Sequence, residues 1–315
     1  MTQGFIKQKA HLMNTPLNKK QSPIKKVNKK QSPIKKGLQR HCQKMKKKML
    51  DSKNSYFRIE PALHLSDLIL DNALYHEIRE FINEHSGQNL LEENNLAPRN
   101  RILLVGPKGN GKSSVAEAIA KELNLKMYHV FSPAVIGNCP AETEQIMYDI
   151  FCFGSPFNEP CLILFDDVEC INDLQSRKTF FRSILFRSEF LSPKSIVAVA
   201  VDSPYLLSDP NLVDKTCCNA FQARFVLRGP TNELIKEFFE RLEMRASRKL
   251  GLNLEFLINE LSGRSFAEME EIGMKIIRHF AIDKNKLALV DPNINTDVKH
   301  LAEHAVCEWL QKARK

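Results

Sequence analysis

The apolar positions of this chain fall into two kinds of pattern. Arg101-Ile102-Leu103-Leu104-Val105 and Leu162-Ile163-Leu164-Phe165 carry apolar residues at successive positions. An unbroken short run leaves no face for water and predicts strands buried on both sides, as in a parallel sheet. Elsewhere the spacing is three and four. Leu74, Ile78, Phe81 and Ile82 predict one face of a helix, capped by Asp71 or Asn72 and running to about His85; a polar linker then ends at Pro98. Val115, Ile119 and Leu123 predict a second helix, and Leu234, Ile235, Phe238, Phe239 and Leu242 a third. Strands interleaved with helices define an α/β fold.

Composition narrows the class. The 315 residues are 43% apolar and 26% charged, ordinary for a globular protein. No apolar run approaches the eighteen or so residues of a membrane-spanning helix. The eight cysteines show no paired C-x-x-C spacing, which points to reduced thiols and a cytoplasmic location, not to a disulfide framework or a zinc site.

The net charge of +9 is unevenly spread. Residues 1 to 53 hold fifteen Lys and one Arg against the single acid Asp51, a surplus of fifteen, which leaves the rest of the chain at −6. Within this segment NKKQSPIKKV at 18 to 27 is followed by NKKQSPIKKG at 28 to 37. High charge with few bulky apolar residues predicts a disordered tail over residues 1–55. Two readings of it stay open: a solubilising tail, or an arm whose lysines bind nucleic acid or an anionic surface. Ser22 and Ser32, each followed by Pro-Ile-Lys, are candidate phosphorylation sites that would lower its charge.

The strongest chemical signal follows the first strand. Gly106-Pro107-Lys108-Gly109-Asn110-Gly111-Lys112-Ser113 matches G-x-x-x-x-G-K-[ST] between a strand and a helix, with Ser114 next in line. Glycines let backbone N–H groups turn toward phosphate oxygens, and the helix N-terminus adds partial positive charge. Lys112 reaches the β and γ phosphates, and Ser113 offers a hydroxyl to Mg²⁺. Such a site needs a carboxylate at the end of a neighbouring buried strand, and Asp166 has that place. The adjacent Asp167 is the candidate to orient or deprotonate an attacking water.

From about Ser66 to Asp283 the order of features resembles the AAA ATPases, most closely the bacterial single-domain kind. Ala141-Glu142-Thr143-Glu144 is similar to the family's Gly-Glu-Ser/Thr-Glu, with Ile146, Ile150 and Phe151 on the buried face of the helix it starts. Asp166, Asp167 and Glu169 occupy the places of Asp-Glu-x-Asp. Ser195 to Val201 resembles the fourth core strand, with Asp202 as its sensor residue, and Leu206 to Leu212 resembles Leu-Leu-Asp-Pro-Ala-Leu. Ala223-Arg224-Phe225 is similar to the Gly-Arg-Phe that carries an arginine finger. Gly263 to Glu270 resembles the first turn of a lid helix, with Ser265 as N-cap and Glu268 completing a capping box.

The resemblance implies a P-loop NTPase fold: a three-layer αβα parallel sheet over residues 56–229, and a small helical lid and C-terminal helix over 230–315. It also implies ATP and Mg²⁺ as cofactors, and a homo-oligomeric ring such as a hexamer acting on a protein client.

Departures from the pattern weaken the expected chemistry. Asp167 stands where the family has Glu, one methylene closer to the backbone, and about 1 Å of misplacement can cost a hundredfold in rate. The first arginine finger is missing, since Asn219-Ala220-Phe221-Gln222-Ala223 precedes Arg224. Asn138-Cys139-Pro140 fills the place of the aromatic paddle of substrate-threading members. Asp202 replaces a neutral sensor and would repel Asp166 and Asp167 unless a cation compensates. These changes leave two readings: a slow ATPase that remodels or regulates a protein, or a nucleotide-gated binding module whose basic arm docks elsewhere. His300-Leu301-Ala302-Glu303-His304 matches H-x-x-E-H, but only eleven residues follow it, too few to supply a distal third zinc ligand.

Overall fold

The computed structural model describes residues 56–151, 159–203, 221–245 and 253–287. The basic tail, the segment at 206–212, Asn219-Ala220 and the H-x-x-E-H stretch lie outside the described residues.

Six strands form one sheet. They are β1 (Tyr56–Ile59), β2 (Arg101–Val105), β3 (Lys126–Phe131), β4 (Cys161–Asp166), β5 (Ile196–Val201) and β6 (Ala223–Val226). The order is β1-β3-β4-β5-β2-β6. The last five are mutually parallel, while β1 adds antiparallel to β3. The sheet is therefore mixed, not purely parallel as expected. Tyr56 to Ile59 carries no unbroken apolar run, and its pairing with β3 is non-local, so sequence pattern does not reveal it.

Helices cover both faces. On one lie α1 (Asn72–Ser86), which is capped by Asp71 accepting from the Leu74 N–H at 2.9 Å, and α3 (Lys112–Glu122). On the other lie α4 (Pro140–Phe151) and α5 (Leu174–Arg187). A short helix, α2 (Gln88–Glu93), interrupts the expected linker. The strands alternate between the two cores: Ile102 and Leu104 join Phe81, Ile119 and Phe225, whereas Leu103 and Val105 join Met147, Phe165 and Phe180. Burial on α4 falls on Thr143, Met147, Ile150 and Phe151, with Ile146 half-buried. Three further helices, α6 (Asn232–Arg245), α7 (Leu254–Leu261) and α8 (Phe266–Leu287), pack around their own core of Ile235, Phe239, Leu257, Leu261, Met269 and Ile272.

Because β2, β4 and β5 are buried along nearly their whole length, their polar residues can appear only at the ends. The parallel arrangement then brings those ends to the same edge, where α/β folds place ligands.

Phe165 anchors this arrangement one residue before Asp166. Its ring is fully buried, stacks on Phe151 at 5.9 Å and meets Phe180 edge-on at 5.5 Å. Phe165→Ala should lower unfolding free energy by about 3–5 kcal/mol, read as a shift of the denaturant midpoint at unchanged slope.

Candidate nucleotide and metal site

The loop from β2 to α3 is held by backbone contacts that only glycine permits. The Gly106 N–H donates to the Val201 carbonyl at 3.0 Å. A Cβ on Gly106 would stand 2.1 Å from the Leu227 carbonyl oxygen, so no larger residue fits. Gly111 has φ +83°, the left-handed region that glycine adopts without strain, and stands at the N-cap of α3 without a side-chain cap. The first-turn N–H groups of α3 are thus left to an external acceptor.

Lys112 is nearly buried. Its Nζ donates to the Gly106 carbonyl at 2.7 Å and the Pro107 carbonyl at 3.3 Å, and pairs with Asp202 Oδ1 at 2.7 Å. All three ammonium protons are engaged. Asp202, just past β5, has the counter-charge that its position demanded. Its own N–H donates to Glu169 Oε1. Burial, then the charge of Asp202, pushes the Glu169 carboxyl up to about 7.

The paired acids at the end of β4 have different environments. Asp166 Oδ2 accepts from Ser113 Oγ at 2.6 Å and lies 3.3 Å from His129 Nε2, while Oδ1 accepts the Asp167 N–H at 2.9 Å. Burial alone would raise its pKa, but the bonds from His129, Ser113 and the Asp167 backbone outweigh it and hold the carboxyl at about 2. Asp167 sits at φ +56°, and burial followed by the charge of Asp166 pushes its carboxyl up. The bonds to Asp166 favour its ionised form, whereas burial and the charge of Asp166 make Asp167 the weaker acid of the two.

This donor set suits Mg²⁺. A hydroxyl and an ionised carboxylate are the hard oxygen ligands that ion prefers. No group of three or more His, Cys, Asp or Glu gathers as a protein-only metal cage among the described residues. An ion here would take its other ligands from phosphate oxygens and water, as Mg²⁺ does beside nucleotides.

A cleft beside the loop is lined by Leu68, Ile69, Asn110, Ser114, Phe266 and Glu270. Asn110 Oδ1 is buried there without a hydrogen-bond partner. The helices after the sheet close the cleft through two links. Arg241 on α6 donates to the carbonyls of Ser66 and Asp67 at 3.1 and 3.2 Å. The Ala267 N–H, in the first turn of α8, donates to the Gly109 carbonyl at 3.0 Å. The capping box is formed as expected: the Ser265 N–H donates to Glu268 Oε2 at 2.8 Å, and the Glu268 N–H returns to Ser265 Oγ at 3.4 Å.

Of the residues singled out from sequence, Gly106 to Ser114, Asp166, Asp167 and Asp202 come together at this edge, and Lys108 lies close enough to lower the Asp167 pKa. Arg224 does not join them. It is exposed on β6, in register with Leu103. His129 was missed: a single His in an otherwise apolar strand carries no signal until β3 pairs with β4, setting His129 beside Leu164 and Phe131 beside Asp166. Arg241 was missed for the same reason, since its partners lie 174 and 175 residues away.

Strand order, the glycine loop and the acids at the strand ends define a P-loop NTPase fold. A family model, "ATPase family associated with various cellular activities (AAA)", matches residues 102–222, and this stretch of the chain is similar to that family. It is 25% identical over 205 residues to a spastin homolog of Caenorhabditis elegans, covering 62% of this chain and 40% of that protein. An uncharacterized AAA family ATPase of Sinorhizobium fredii is 24% identical over 247 residues, covering 73% of this chain and 68% of its own length. Among solved structures, the FIGL-1 AAA domain superposes with a TM-score of 0.56 at 17% identity, covering 83% of this chain and 88% of that one. A structure on katanin self-assembly gives the same score at 18% identity, covering 82% and 89%.

The Glu169 shift sets a pH dependence. Its folded pKa of about 7 lies above the ordinary 4.5, so between those values the folded state keeps a proton that the unfolded chain has lost. Stability from this site is full below about pH 4.5 and falls as pH rises toward 7. Glu169→Gln keeps an acceptor for the Asp202 N–H. It should melt near the wild-type temperature at pH 5 and above it at pH 8, in thermal melts without nucleotide.

Proposed function

We propose that this chain is an ATP- and Mg²⁺-dependent ATPase of slow turnover, working as a homo-oligomeric ring that remodels or regulates a protein partner. The observation that carries this reading is the convergence of Lys112, Ser113, Asp166 and Asp202 at one edge of the sheet beside the uncapped N-terminus of α3. Mg²⁺, when bound, would neutralise charge on the β and γ phosphates.

The protein's own groups have separable tasks. Backbone N–H groups of Gly109 to Ser113 receive phosphate oxygens. Lys112 exchanges part of its bonding to Asp202 and the loop carbonyls for phosphate, so nucleotide entry frees Asp202 to report on the site. Ser113 and Asp166 hold the cation side. Asp167, with its raised pKa, is placed by sequence to orient a water or take its proton, from a shorter side chain than the family's Glu. Arg224 is exposed on the terminal strand, which suits an arginine that acts on the site of a neighbouring copy, where such a group can add 10³-fold or more. The self-assembly of katanin, whose fold this chain shares, supports the ring as an analogy.

A second reading is favoured by the shortened acid and by the saturated bonding of Lys112: a nucleotide-gated binding module with little turnover, whose basic residues 1–53 dock nucleic acid or an acidic surface. Steady-state hydrolysis separates the two. For the ATPase, activity per subunit rises with protein concentration, Lys112→Ala and Asp166→Asn abolish it, and Arg224→Ala removes the rise with concentration while leaving the dilute rate unchanged. Tight ATP binding with negligible turnover in the oligomer selects the binding module instead.

If side-chain reach limits the rate, Asp167→Glu should raise kcat by about ten- to a hundredfold, measured by phosphate release at saturating ATP.

A further inference from the structure

We propose that Asn110 is a specificity-determining residue of the nucleotide site: its side-chain amide reads the 6-amino edge of an adenine base and turns away a 6-oxo purine. The inference rests on the reading of the glycine loop as a nucleotide site and adds what selects the base.

Gly109 at φ +85° and Gly111 at φ +83° flank Asn110, both in the left-handed region. The chain therefore turns on each side of this one residue, whose side chain forms part of the wall of the cleft beside the loop. Around it that wall is apolar, with Leu68 and Ile69 from the segment before α1, Val115 from α3 and Phe266 from α8. Such a slot fits a flat ring, and its few polar groups decide which ring. Asn110 is only 4% exposed, and its Oδ1 is buried without a hydrogen-bond partner. An acceptor shut away from water without a donor is unfavourable, and a ligand that brings an N–H to it recovers that cost.

Nucleotide geometry decides which part of a base reaches this amide. In the anti conformer the imidazole side of a purine faces its own 5′-phosphates. With the phosphates on the first turn of α3, the base would present N7 and its C6 substituent to the loop. Adenine has an acceptor at N7 and a donor at N6, and an asparagine amide matches both at once: Oδ1 accepts from N6 while Nδ2 donates to N7. A 6-oxo purine has two acceptors there, N7 and O6, so Oδ1 would face O6 with no proton between them. Turning the amide over pairs Nδ2 with O6 but sets Oδ1 against N7. Neither orientation satisfies the 6-oxo base.

The test measures binding of ADP, IDP and 7-deaza-ADP to the full chain with Mg²⁺ by titration calorimetry. IDP exchanges the 6-amino group for an oxygen, and 7-deaza-ADP removes the N7 acceptor. The chain should bind ADP about ten- to a hundredfold tighter than IDP, and 7-deaza-ADP more weakly than ADP. Asn110→Ala should level the three affinities. Asn110→Asp keeps an acceptor and loses the NH₂ group, so it should retain the preference over IDP and become indifferent to loss of N7. An unchanged ADP-to-IDP ratio in Asn110→Ala, including a uniform loss of all three ligands as for a residue that only shapes the loop, overturns the proposal. So does wild-type binding of ADP and IDP with equal affinity. If none of the three binds, the nucleotide reading fails and takes this inference with it.

Discussion

Asp166 keeps a negative charge at the inner end of a strand whose five preceding residues are all buried, and the rest of the site is arranged around the cost of doing so. An ionised carboxylate removed from water is unfavourable unless donors replace its hydration. Here three donors come from three elements: Ser113 from α3, His129 from β3 and the N–H of Asp167 from the turn that follows. None could be moved without disturbing the acid. The left-handed turn at Asp167, the glycine loop that aims α3 and the pairing of β3 with β4 are therefore mutually dependent.

The same logic extends to the second charge pair. Asp202 is tolerated beside Asp166 and Asp167 because Lys112 binds it directly, and Glu169 receives its N–H while its own carboxyl is pushed toward neutrality. The site is thus a balance of opposed charges held by hydrogen bonds. A rearrangement of it can travel, because the loop that bears Lys112 also accepts the first-turn N–H of α8 at Gly109, and Arg241 ties α6 to the segment before α1. A change at the glycine loop has short covalent and hydrogen-bonded routes to the helices that close the cleft.

Much of this was legible from the chain alone. The buried runs of β2 and β4 and the helices at 72, 112 and 232 follow from periodicity, because burying both faces or one face leaves a local signature. The glycine loop follows from backbone geometry that few other residues permit. Asp71 and Ser265 were recognisable as caps because capping is satisfied within three residues. By contrast β1 was not, nor was the short α2, and Ile146 proved less buried than Met147. Arg224, singled out only by its resemblance to an arginine finger, lies exposed on β6, a placement that local spacing did not reveal.

Sequence by itself determined the chemistry available: a phosphate loop, two adjacent acids, a sensor-position acid and a strongly basic tail, all set by residue type and local spacing. Only the tertiary structure decided how those groups divide the work. It made Asp166 strongly acidic while raising Asp167, bound Lys112 to Asp202, and brought His129 to the carboxylate. Local spacing carries no information on such pairs. They arise from strand order and from the desolvation that a closed α/β core imposes on whatever polar groups reach its edge.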